Sequence, residues 1–345
     1  MRNNFVVFHQ VGVSWLVLME NFKKPYLKVC MKKNIFISAI LISSFFSVFS
    51  QAAPLAFVSN EGSGTVSVID LAKSEVVNTI DLSGKPRGIF AAPTSSFVYV
   101  TEFTKEQLLK IDVTSQKIIQ KASLGKSPEA VYVSKDDTWI TVANEDSNSV
   151  SLIDAKTLTT VVEIPVEGKN PEHAVMSPNN QWIYVSAEDA DKVDVIDVFT
   201  RKQVGQIQVG KRPRGIGFTP DSKIAIVACE IESKTYLIDV TTRTVKAVIE
   251  TGLRSNGVMV HPNGQVAYIS NGGDGTVAMI DIEKQRLLKV ISVGKRPWNM
   301  AITPDHKKLL VANGRSNSVS IIDLELNQVT NEIAVGNLPW GVAVK

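Results

Sequence analysis

Gly210-Lys211-Arg212-Pro213 leads into Gly215-Ile216-Gly217-Phe218, then into the turn Thr219-Pro220-Asp221-Ser222. Ile224-Ala225-Ile226-Val227-Ala228 follows, and a polar loop from Glu230 to Lys234 precedes Tyr236-Leu237-Ile238-Asp239. A last apolar run, Val245 to Ile249, completes the unit. Glycine and proline punctuate the unit, its apolar runs are short, and none keeps a helical period over a helical length. Residues 210–249 therefore predict four short strands joined by tight turns.

The unit recurs. An Ile-Asp pair closes the third run at Asp70, Asp112, Asp154, Asp197, Asp239, Asp281 and Asp323, with spacings of 42, 42, 43, 42, 42 and 42 residues. Four strands at that period describe one blade of a propeller. The expected fold is all-β: a seven-bladed β-propeller of four-stranded antiparallel blades over residues 53–345. The repeat opens on a second strand at Leu55 and closes on a first strand, Pro339-Trp340-Gly341-Val342-Ala343-Val344-Lys345. The C-terminal strand is thus expected to join the N-terminal blade and leave no broken blade in the ring.

The second strands include Val98-Tyr99-Val100-Thr101, Ile140-Thr141-Val142-Ala143-Asn144, Ile183-Tyr184-Val185-Ser186 and Tyr268-Ile269-Ser270-Asn271. They resemble the YVTN β-propeller repeat family in all seven copies. WD40 repeats share the period, but their Gly-His and Trp-Asp signatures are missing. The YVTN resemblance implies a binding module. It includes exported proteins found beside alcohol-oxidation systems that use pyrroloquinoline quinone, and a periplasmic member associated with DNA binding.

Ahead of the repeat, Met31-Lys32-Lys33-Asn34 and the apolar stretch Ile35 to Phe49 read as a signal peptide over residues 31–52, cleaved after Ala52. The apolar stretch is short for a membrane span, so no stable span is expected after processing. Localisation is expected to be periplasmic or secreted. Residues 1–30 fit neither pattern and read as a non-native upstream extension, with translation starting at Met31. The formal charge of +3 comes from this leader. Six basic residues and one acidic residue lie before residue 53; taken from 37 and 34, they leave 31 and 33. A near-neutral body has little non-specific pull on nucleic acid. Of the two cysteines, only Cys229 lies in the repeat, where it reads as a small buried hydrophobe.

The seven Ile-Asp aspartates sit where third strands end, and each side chain is placed to accept backbone N–H groups of the following turn. They read as structure. Function is sought where the copies diverge. The residue after the conserved proline reads, around the ring, Trp340, Arg87, Glu129, Glu172, Arg214, Asn256 and Trp298. The next position reads Gly341, Gly88, Ala130, His173, Gly215, Gly257 and Asn299. Trp298, Trp340, Arg87, Arg214, Glu129, Glu172, His173 and Asn299 are therefore the candidate ligand- or partner-binding residues. Lysines before the first strands and acidic residues after the second strands predict a basic mouth with an acidic periphery. Such a field focuses a small anion, while the tryptophans suit a flat ligand or a partner side chain.

No catalytic residue, metal or cofactor is assigned: His-x-x-x-His, Cys-x-x-Cys, nucleophile-elbow and P-loop patterns are missing. The reading is a monomeric, exported, non-enzymatic binding or scaffold propeller, accessory to a periplasmic redox system of quinoprotein type. Its partner is a protein or a small anionic or flat ligand. One alternative is a propeller enzyme of lactonase or dehydrogenase-subunit type, with Glu129, Glu172 and His173 supplying acid–base groups. Another is a single-stranded DNA-binding propeller, which the charge balance disfavours.

Overall fold

Residues 54–345 are described by a computed structural model; the expected signal peptide and upstream extension lie outside them. Among the described residues, 28 strands form seven four-stranded antiparallel sheets. The chain is a ring of seven blades, as the repeat predicts.

We number the blades from the one that closes the ring. The inner strand of blade 1 is Pro339–Val344, and those of blades 2 to 7 are Pro86–Ala91, Pro128–Val133, Pro171–Met176, Pro213–Phe218, Ser255–Val260 and Pro297–Ile302. The blade 1 inner strand pairs with Leu55–Asn60, joining the two ends of the repeat. Leu55 and Lys345 exchange two backbone hydrogen bonds of 2.7 and 2.8 Å.

The alternation read from the second strands packs one blade on the next. Between blades 4 and 5, Val175, Tyr184, Val193 and Val195 meet Ile216, Phe218, Ala225 and Val227. Between blades 1 and 2, Phe57, Val66 and Val68 meet Ile89, Val98 and Val100. Each fully buried side chain of this size contributes about 1.5–3 kcal/mol, so the core is a set of interfaces between blades. All seven Ile-Asp aspartates accept backbone N–H groups two or three residues on, for example Asp154 from Lys156 (3.0 Å) and Thr157 (2.8 Å). Cys229 is buried and free, and burial pushes its thiol up to about 12.

Candidate functional site

The inner strands do not run straight past their second strands. In blade 4, Pro171 pairs with Ala187 and Ala174 with Val185, so Glu172 and His173 form a β-bulge. The same shift places Arg87 and Gly88, Glu129 and Ala130, Arg214 and Gly215, Asn256 and Gly257, and Trp298 and Asn299 on bulges. In blade 1 the register slips between the partners of Ser59 and Asn60, which places Trp340 there. A bulge leaves residues unpaired and re-aims their side chains. The eight candidate residues are thus the irregular positions of otherwise regular strands.

Second-strand hydroxyls hold the bulges and link the blades. Ser59 Oγ donates to the Arg87 carbonyl and Thr101 Oγ1 to that of Glu129, both at 2.6 Å. Ser270 Oγ donates to the Trp298 carbonyl (2.6 Å) while accepting from Gly257 N–H (2.8 Å). Ser186 Oγ accepts from His173 N–H at 3.0 Å. The sequence reading passed over these hydroxyls, although Ser or Thr recurs one residue before the end of four second strands, as Ser59, Thr101, Ser186 and Ser270.

The charges on the bulges are spent on each other. Arg87 reaches Glu61 of blade 1 at 3.1 Å and Glu129 of blade 3, and its guanidinium lies 4.0 Å from the Phe103 ring centre. Arg214 pairs with Glu172 at 2.8 Å and with Glu188, both from blade 4. Glu230 receives Arg296 (3.0 Å), Arg212 (3.4 Å) and Arg254 (3.4 Å), and Arg212 also meets Glu188 at 3.2 Å. Glu129, Glu172, Glu188 and Glu230 are each no more than 4% exposed.

Here the structure departs from the expected acidic periphery at three residues. Glu102, Glu188 and Glu230 turn inward, because the loop after each second strand lies beside the loop leading into the first strand, as in the 3.0 Å bond from Phe103 N–H to the Lys85 carbonyl. Donors are waiting there: the arginines for Glu188 and Glu230, and the backbone N–H groups of Lys85, Thr104 and Lys105 for Glu102. Glu106, Asp146, Asp189 and Asp274 stay exposed in the loops after the second strands, and the loops before the first strands expose a ring of cations: Lys85, Lys126, Lys169, Lys211 and Lys295, none of them ion-paired among the described residues.

Burial dominates the electrostatics of this mouth. It raises the Glu172 carboxyl above its ordinary range and pushes Glu188 up to about 7, with the neighbouring Glu172 charge adding to the effect and Arg214 and Arg212 opposing it. A carboxyl shifted upward in the folded state binds its proton more tightly there. Its stabilising contribution is complete below the ordinary carboxylate pKa near 4.5 and is lost as pH rises through about 7. Melting temperature should therefore fall between pH 5 and pH 8. Glu188→Gln should flatten that slope, with a residual slope from Glu172; an unchanged slope in the variant would refute the assignment.

His173 and the tryptophans close the channel. His173 is 1% exposed, and its Nδ1 lies 2.7 Å from the Tyr132 hydroxyl. Burial, helped by the Arg214 charge, pushes the imidazole down to about 3, so it is neutral. Trp340 of blade 1 stacks on His173 of blade 4, on the far side of the ring, with ring centres 6.2 Å apart and planes at 21°. Trp298 lies 6.4 Å from Trp340 and 6.0 Å from the Arg296 guanidinium. Trp340 is thus a bar across the channel. On the side away from the lysines it floors a cavity of about 610 Å³, to whose wall Asn299 also belongs. Of the candidates, Glu172, His173 and Arg214 come together, as do Arg87 with Glu129 and Trp298 with Trp340; Asn299 lies apart on the cavity wall.

Three family profiles match parts of the chain: YNCE-like beta-propeller at residues 133–223, Lactonase, 7-bladed beta-propeller at 198–340, and Cytochrome D1 heme domain at 50–174. With seven four-stranded blades in the ring, the first two decide the matter. The chain is a YVTN-type seven-bladed propeller. This YVTN-type propeller resembles hydrazine synthase of Kuenenia stuttgartiensis at 21% identity and TM-score 0.67, over 75% of this chain and 89% of that one. A functionally unknown protein from Desulfotomaculum acetoxidans DSM 771 superposes with TM-score 0.74 at 18% identity, over 84% and 98% of the two chains. At these identities the likeness is one of fold. A search of the curated proteins gives no match.

The haem named by the third profile does not fit the residues present. His173 is the one histidine within that match, and it is hydrogen-bonded through Nδ1, stacked on Trp340 and not part of the cavity wall. Among the described residues no group of three or more His, Cys, Asp or Glu is arranged to hold a metal ion.

Proposed function

We propose that this propeller is an exported, non-enzymatic scaffold that presents its lysine-ringed mouth to an acidic partner surface, as an accessory to a periplasmic redox system. One observation carries the reading: the arginines and glutamates of the mouth are closed into internal pairs, while five exposed lysines around them have no partner in the fold. Charges paired across blades stiffen the ring. Unpaired charges at its rim steer and orient an oppositely charged surface. The redox setting rests on the YVTN resemblance alone.

Pull-down from periplasm tests it, with wild type beside the triple variant Lys126→Glu, Lys169→Glu, Lys211→Glu. Recovery of the partner should drop at least about tenfold in the variant and fall with rising salt. Equal recovery from both proteins would refute the lysine ring as the docking face.

An enzyme of lactonase type is the second reading, favoured by the match over residues 198–340 and by the proton-binding pair Glu172 and Glu188. Lactone hydrolysis that depends on added divalent metal and is lost in Glu172→Gln would establish it in place of the scaffold reading.

A further inference from the structure

At the end of the channel opposite the lysine ring, the inner strands of blades 6, 7, 1, 2 and 3 stand back from one another and leave the cavity of about 610 Å³. Phe90, Tyr132, Met259, Met300 and Ile302 contribute to its wall, and Trp340 is its floor. Phe90, Met259 and Ile302 keep part of their surface exposed there. The volume is that of a small-molecule pocket, within the usual range of about 300–1,000 Å³. An apolar space of this kind gains little from water and much from an apolar guest.

We propose that this cavity binds one small, flat, uncharged hydrophobic molecule with a single polar head group. Flatness follows from the floor and one side: the Trp340 indole lies below, and the Phe90 and Tyr132 rings, 5.2 Å apart and inclined at 53°, stand beside it. Neutrality follows from the lining. Besides Tyr132, whose hydroxyl is committed to His173, the ionisable groups on the wall are His306 and Lys345. The Lys345 ammonium is already held by the carbonyls of Ala92 (2.7 Å) and Pro93 (3.1 Å). His306 is exposed in its turn at the rim, its ring 5.9 Å from that of His261, so a charged guest inside the cavity would lose its hydration without gaining a partner. Asn299 carries the one side-chain amide on the wall and is the partner for the head group.

A small molecule fits better than a protein surface. Of the large exposed hydrophobics, Val76, Ile119, Val161 and Leu287 lie on outer strands, Phe199 and Leu326 in turns between third and fourth strands, and Ile231, Leu253 and Leu338 in loops at the lysine end; none belongs to the turns between first and second strands that surround this opening. Those turns are polar, proline-led in blades 2, 6 and 7, as in Thr303-Pro304-Asp305-His306, and charged in blade 3, as Ser134-Lys135-Asp136-Asp137. An apolar hole in a polar rim admits an inserted molecule, whereas a docked protein needs an apolar patch around the hole.

Titration with N-phenyl-1-naphthylamine, a neutral fluorescent amine, tests the site against 8-anilinonaphthalene-1-sulfonate, the same skeleton with a fixed charge. The neutral probe should saturate at one molecule per chain and bind at least about tenfold tighter than the sulfonate. Met259→Glu should weaken the neutral probe by a similar factor, and Asn299→Ala by a few-fold. Ala91→Phe, which fills space at a half-buried wall position, keeps the test decisive if Met259→Glu does not fold. The triple lysine variant should bind as wild type does, so this site and the partner-docking face stand or fall separately. Absence of saturable binding, equal affinity for the two probes, or unchanged affinity in both Met259→Glu and Ala91→Phe would each overturn the proposal.

Discussion

Deleting Gly341–Lys345 should unfold the ring. These residues supply most of the strand that pairs with Leu55–Asn60 through Ala56 with Val344, Phe57 with Ala343, Val58 with Val342 and Ser59 with Gly341. Their loss removes Val342 and Ala343, 4% and 3% exposed, from the two cores that flank blade 1, and leaves the backbone of residues 55–60 with no inner partner. It also removes the backbone on which Ser59 Oγ closes the blade 1 bulge, through its 3.2 Å bond from Gly341 N–H. A domain is stable by only about 5–15 kcal/mol, and an opened interface between blades consumes an amount of that order. The truncated chain should show no cooperative thermal transition near that of the full protein. A melting temperature within a few degrees of the full chain would refute the closure.

Arg214→Met should be the most damaging single substitution in the mouth. It strips the cation from Glu172 and Glu188, which are 3% and 4% exposed, and an uncompensated buried charge costs about 3–5 kcal/mol. The paired carboxylates hold Arg214 above its ordinary pKa, so the guanidinium cannot be spared by neutralising it. Loss should be greatest at pH 8 and smaller at pH 5, where the carboxyls, already shifted upward, take up protons. Glu172→Gln with Glu188→Gln should restore much of the stability of Arg214→Met. Denaturant melts at both pH values check this. A loss under about 1 kcal/mol at pH 8 would mean that the pairs are ornamental.

The fold was legible because the same strand-turn pattern is written seven times, and turn chemistry at Asp70 or Asp281 needs only neighbours in sequence. Closure was legible from which strand opens and which ends the repeat. The divergent ring of Arg87, Glu129, Glu172, Arg214, Trp298 and Trp340 could be found by comparing copies. Their mutual pairing could not be read in detail, because it depends on bulges that a two-residue strand period hides. Glu188 and Glu230 were misplaced at the periphery for a related reason. They follow second strands in sequence, but what decides their environment is the loop of the same or the next blade that folds over them. The cavity was invisible for a different reason. It is the space that inner strands of five blades leave between them, and no single residue carries the signal for an absence of atoms.

The split blade also sets an order in time. A ribosome delivers Leu55–Asn60 long before Pro339–Val344, so these two strands, some 280 residues apart, cannot meet until all the blades between them have been made. Until then residues 55–60 are an open sheet edge rich in buried-type side chains, of the kind that captures other strands. The growing chain therefore carries one sticky border until its partner strand arrives, and any factor that attends its birth has that border to guard.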